Sequence, residues 1–145
     1  MFTLTSTLQY AEAGRIEEWV HLFLNDEGNN VPFSEGLKLE KRYYFGPLKF
    51  KLDMFARCCG PEPNNKYVVD GEGFEKHVSE LQKRIKDGWD MPPLIVNYFN
   101  GTFELNDGNH RYEALKRSGI DEYFFIVWTT DKPDAINFSK EFCQM

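Results

Sequence analysis

The run "YFFIVW", residues 123–128, is apolar on both faces that a strand presents, and such a strand belongs in the middle of a sheet. It needs a neighbour on each side. One pair is offered by "PPLIVNYFNGTFELND", in which residues 94–96 are fully apolar, Asn100-Gly101 is a tight-hairpin dipeptide, and residues 102–105 return as a strand. Another comes from residues 42–52, "RYYFGPLKFKL", where Leu48, Phe50 and Leu52 alternate with Lys49 and Lys51, leaving one face wet.

Helical periodicity accounts for most of what remains. Residues 15–26 carry Ile16, Trp19, Val20, Phe23 and Leu24 on one stripe, and the pattern stops at "EGNN". A shorter helix precedes it, with Ser6 and Gln9 at capping-box spacing and Gly14 as the break. Residues 31–40, punctuated by Pro32 and Gly36, read as loop. Residues 74–86 repeat Phe74, Val78, Leu81 and Ile85 with Gly88 as the stop, and the tail from Thr130 reads as loop and a short terminal helix. His77 reads as a boundary residue, and His21, off the apolar stripe of its helix, as solvated.

At 145 residues and 41% hydrophobic content the chain is expected to form one domain, residues 1–145, with a single core. A net charge of -6 repels nucleic acid overall, so any polyanion must be held by a local patch. No apolar run approaches the roughly 18 residues that span a bilayer, and the start lacks the flanks of a secretion signal. The expectation is a soluble, cytoplasmic protein with no membrane partner. Cys58, Cys59 and Cys143 lack the spacing of a zinc site or disulfide framework, and the adjacent pair reads as small buried hydrophobes.

The chemistry concentrates in "NDGNHRYEALKRSG", residues 106–119, where a strand passes through Asp107-Gly108 into a helix. Gly108 lets a ligand approach the main chain, and the first helical turn has N–H groups without internal partners at the positive end of the helix dipole. That combination seats an anion. Arg111 presents a planar fork to phosphate oxygens, while Asn109 and His110 add donors. Asp107 is an acceptor and can be a helix cap, a ligand to a divalent ion, or a base for an attacking hydroxyl. The plainer alternative is that Asp107 or Asn109 only caps the helix and Arg111 is a surface charge. Glu113 and Arg117, four apart, read as a surface ion pair.

These segments together, "PPLIV", the hairpin, "FELNDGNHRYEALKRSGI" and "FFIVW", resemble the ParB/sulfiredoxin superfamily, whose signature is a Gly-x-His-Arg or Gly-Glu-Arg-Arg turn opening a helix. The resemblance covers about residues 48–128. It implies an α+β fold: a small mixed β-sheet flanked by helices (residues 41–128), preceded by a helical extension (1–40) and followed by a tail (129–145). It also implies a nucleotide, ATP, ADP or CTP, with its phosphates on Gly108, Asn109, His110 and Arg111. Magnesium would sit at Asp107 and Asn109, and Asp107 and His110 would be the catalytic pair.

Chemistry diverges within the superfamily. Sulfiredoxins carry a reactive Cys, and partition proteins a Glu, where this chain has Asn109. Free-serine kinases use Asp-Gly-His-His-Arg, from which "DGNHR" differs at one position, so phosphoryl transfer to a small hydroxyl-bearing substrate is the favoured enzyme reading. Partition proteins continue into a helix-turn-helix domain, whereas about 17 residues follow Trp128, so DNA segregation is not expected.

Arg57 opens a loop after a strand, where the superfamily often supplies a second wall to the nucleotide, and reads either as that or as a surface arginine. Lys41, Arg42, Lys49, Lys51 and Arg57 make a local basic patch among aromatics. That pattern reads as a half-buried strand with solvated lysines, or as a contact for single-stranded nucleic acid. Three functions follow: a magnesium-dependent nucleotide hydrolase or phosphotransferase, a partition-like or nuclease-like DNA module, and a non-catalytic interaction module regulated by nucleotide.

Overall fold

In the computed structural model, residues 2–55, 59–60, 67–68 and 71–143 are described. The chain runs α1 (Leu4–Glu12), α2 (Ile16–Leu24), α3 (Val31–Leu37), β1 (Tyr43–Lys51), β2 (Cys59–Gly60), β3 (Tyr67–Val68), α4 (Gly71–Lys86), β4 (Leu94–Phe99), β5 (Thr102–Asp107), α5 (Asn109–Arg117), β6 (Glu122–Thr129) and α6 (Lys132–Phe138). A single π-turn, Ser139–Cys143, follows α6.

The main sheet has the order β1-β6-β4-β5, and β2 and β3 form a separate parallel pair. The doubly apolar strand β6 lies inside the sheet, antiparallel to β1 and parallel to β4. The β4–β5 hairpin closes through Asn100 (φ 49°) and Gly101 (φ 81°), the paired positive angles that an Asn-Gly turn accommodates. The sheet is therefore mixed and the fold is α+β.

Strand alternation sends neighbouring residues into different layers. On one face Leu94, Val96, Leu105, Phe125 and Val127 pack with Tyr112 and Leu115 of α5 and Phe138 of α6. On the other, Ile95, Ile126 and Trp128 meet Trp19, Val20, Phe23 and Leu24 of α2 and Leu37 of α3. The N-terminal helices thus cover the part of that sheet face formed by Ile95, Ile126 and Trp128. A third cluster, Phe74, Val78, Leu81 and Ala114, joins α4 to α5. Arg117 reinforces it by donating from Nη2 to Glu75 at 2.8 Å and from Nε to Glu113 at 2.9 Å.

Local readings need correction in three places. The segment expected as loop contains α3, because Asn30 accepts from the Phe33 amide as its cap and Pro32 sits in the first turn, where its missing N–H costs nothing. The capping box of α1 is Thr3 with Ser6, one turn earlier than the Ser6/Gln9 pairing. His21 is not solvated: its Nδ1 lies 2.7 Å from Ser34 Oγ, and its Nε2 is buried with no partner among the described residues.

Candidate nucleotide site at the head of helix α5

Strand β5 ends at Asp107, and the chain turns at Gly108 with φ 99° and ψ 24° before α5 begins. Only glycine takes that left-handed conformation without strain. Space demands it as well, since a Cβ there would lie 3.0 Å from both Arg111 Nη2 and Leu94 Cγ. The N-cap position of α5 is Gly108 itself, which has no side chain with which to cap the helix.

Arg111 turns inward from the first turn of α5. Its Nη1 donates to the carbonyls of Pro92 at 2.7 Å and Pro93 at 3.2 Å, and its Nη2 to Asp107 Oδ2 at 3.0 Å. The guanidinium lies over the Phe23 ring at 5.3 Å. Asp107 Oδ1 accepts from Asn30 Nδ2 at 3.4 Å, so the loop before α3 reaches the same carboxylate. Both charges are buried, at 9% and 8% exposure, which makes this a desolvated ion pair rather than a surface one. Burial pushes the Asp107 carboxyl above the usual carboxylate range, with Arg111 opposing the shift.

A cleft of about 200 Å³ opens beside this turn, bounded on one side by Asp107, Gly108, His110 and Arg111. Helix α4 supplies the opposite wall through His77, Leu81 and Arg84, and α2 with its following loop adds Phe23, Glu27 and Gly28. The rings of His77 and His110 are 4.3 Å apart, and His110 also packs against Phe74 at 4.9 Å. Asn109 is buried beside them. Arg84 lies 3.7 Å above the ring of Trp89, which lines the cleft as well.

The structure therefore brings Asp107, Gly108, His110 and Arg111 to one cavity, with Asn109 adjacent. Arg57 and Cys58 lie outside the described residues. Sequence reasoning did not find His77, Arg84, Trp89 or Glu27 as cleft residues. A signal for α4 exists: residues 77 and 84 fall at i and i+7 and flank Leu81, at the edge of the apolar stripe. Glu27 belongs to a loop, and no periodicity points to it.

No group of three or more His, Cys, Asp or Glu side chains that could hold a metal occurs among the described residues. Asp107 accepts from Arg111 on one oxygen and from Asn30 on the other, and Asn109 is buried next to it in sequence beyond Gly108. The lysines of β1 lie on its solvent side, Lys49 near Glu122 at 3.5 Å and Lys51 near Asp121 at 3.9 Å. Arg42 is engaged with the carbonyls of Leu37 and Gly36 and with Thr130 Oγ1. The half-buried strand reading thus describes this segment. No described helix is long and apolar enough to cross a membrane.

No family model matches the chain and no curated relative matches it in sequence. Among solved structures the fold is similar to that of sulfiredoxin from Arabidopsis thaliana, with 19% identity, a TM-score of 0.44, and coverage of 65% of this chain and 96% of that one. It is also similar to C-terminally truncated chromosome-partitioning protein ParB from Caulobacter crescentus, complexed with CTP-gamma-S. There the identity is 16% and the TM-score 0.46, over 70% of this chain and 55% of that one. A Pnob8-like ParB-N domain gives 16% and 0.41, over 72% and 40%. The chain thus spans about half or less of the two ParB structures, and these are similarities to ParB and sulfiredoxin folds at low sequence identity.

Proposed function

We propose that the chain binds a nucleoside di- or triphosphate in the cleft at the head of α5, with the phosphates at the Gly108 turn, and hydrolyses it or transfers a phosphoryl group. The observation that carries this reading is the start of α5: a left-handed glycine at the N-cap position, opening on a cleft lined by His77, Arg84 and His110. The helix end favours an anion by about 0.3–1 kcal/mol. In this reading His110 and His77 hold phosphate oxygens, and the backbone of Gly108 and Asn109 shapes the seat. Arg111 positions the turn through Asp107 and the two proline carbonyls. The acceptor in a transfer is water or a small hydroxyl-bearing molecule. Magnesium would accompany the phosphates, and no step is assigned to it.

Arg111→Ala is a poor test, because it also removes a buried ion pair. We therefore choose His110→Gln, read by titration calorimetry with ATP, ADP and CTP in the presence of magnesium. The wild type is expected to bind at least one of them, and the variant about tenfold more weakly, the loss of one charge-assisted hydrogen bond. Equal affinities would remove the assigned seat.

A second reading is supported by one observation: both oxygens of Asp107 accept hydrogen bonds from groups of the fold, which gives the carboxylate a structural role. The chain is then a nucleotide-regulated interaction module. Nucleotide recovered intact after long incubation with magnesium supports that reading, and multiple turnover excludes it.

A further inference from the structure

Along one face of α4, His77 and Arg84 both reach the cleft, separated by two helical turns, or about 10 Å of axial rise. Leu81 and Trp89 lie on the wall between and beside them. The His77 end, with His110 and the Gly108 turn, is polar and suited to phosphate. The Arg84 end differs. Its guanidinium carbon lies over the half-buried indole of Trp89, 3.7 Å from the ring centroid. Arg84 is exposed, and among the described residues no carboxylate pairs with it, although Glu27 lines the same cleft. An arginine held on an aromatic ring has given up much of its rotamer freedom, and its planar delocalised cation has a second face on which another flat ring stacks.

We infer that the Arg84–Trp89 pile is the plate for the base of the bound nucleotide, an inference that rests on the nucleotide reading above. Among the described residues lining the cleft, Phe23 is stacked on Trp19 at 5.0 Å and lies under the Arg111 guanidinium, and the rings of His77 and His110 lie at the phosphate end, so none of them has a comparable role. A base on Arg84 and a terminal phosphate at the head of α5 lie at opposite ends of the two-turn wall, an extended pose that a nucleoside diphosphate can span. Stacking of this kind is tolerant of base identity, since every base has a π-face. The plate thus selects for a base, not for a particular one.

The test compares ADP with pyrophosphate, a probe that lacks the base, on wild type, Arg84→Lys and Arg84→Gln. Arg84 is exposed, and circular dichroism checks that the variants fold as the wild type does. Wild type is expected to bind ADP about tenfold more tightly than pyrophosphate. Arg84→Lys keeps the charge and loses the plane, so it should lose most of that preference while binding pyrophosphate as before. ADP, but not pyrophosphate, should change the emission of Trp89, because Trp19 and Trp128 are buried away from solvent. Equal affinities for the two probes in wild type, or an unchanged ADP preference in Arg84→Lys, overturn the plate and leave the phosphate seat standing. Failure of both probes to bind wild type overturns the nucleotide reading itself, and the plate with it.

Discussion

Arg111 and Asp107 illustrate how a residue that looks like a ligand can be committed to its own fold. The guanidinium satisfies two adjacent carbonyls and a carboxylate at once, which a lysine, with a single point of charge, cannot reproduce in the same geometry. Removing one partner strands the other charge in a buried place. Arg111→Ala is therefore expected to lower unfolding free energy by about 3–5 kcal/mol in urea denaturation. A loss under about 1 kcal/mol would show that the pair does not hold the turn. Gly108→Ala should cost about 1–2 kcal/mol for the left-handed angle alone, and more for the contact its Cβ would make with Leu94. In both variants loss of binding follows from loss of the turn, so affinities are best read in His110→Gln.

At the scale of elements, the junction of α2 and α3 carries a titratable weak point. His21 sits between them with Nδ1 on Ser34 and Nε2 buried, and burial is the main cause that pushes its imidazole below the ordinary value, with Lys38 adding to it. The unfolded chain then binds a proton more readily than the folded one. Stability should be fully present above about pH 6.5, the ordinary histidine value, and decline as pH falls below it toward the lowered value. His21→Asn should remove that part of the dependence, seen as a flatter thermal midpoint between pH 7 and 5.5; an unchanged slope would assign it to other groups. The α4–α5 tie is of another kind. Arg117 with Glu75 and Glu113 is partly exposed and contributes about 1 kcal/mol or less, so the buried cluster of Phe74, Val78 and Ala114 is what keeps His77 opposite His110.

Over the whole molecule, the sheet has two covered faces, and residues 1–40 supply one cover. Ile95, Ile126 and Trp128 lie under α2 and α3, and Asn30 and Glu27 extend that cover to the cleft. We therefore read the N-terminal helices as part of one cooperative unit. A chain beginning at residue 41 should expose those three side chains and elute as aggregate in size-exclusion chromatography; a monomeric fragment with native circular dichroism would make the helices a separable unit. Phe125, buried at the centre of the opposite layer, gives the matching measure of that face. Phe125→Ala is expected to cost about 3–5 kcal/mol.

Local pattern alone determined the central strand, the Asn-Gly hairpin, the strand with alternating lysines, and the turn at Gly108, because each follows from which side chains repeat at period two or which backbone angle a residue permits. It misread 31–40, where Pro32 looked like a breaker but stands in a first turn. Only tertiary packing decided what the polar residues do. Periodicity says which face of a helix is apolar but not what meets it, so nothing in the chain announced that Arg111 would close on Asp107 and two proline carbonyls. Nor did it announce that α4 would bring His77 and Arg84 to the far side of the same cleft. A charge is spent on the fold or left for a ligand according to which groups long-range packing places within hydrogen-bond reach, and that distance is a property of the folded chain.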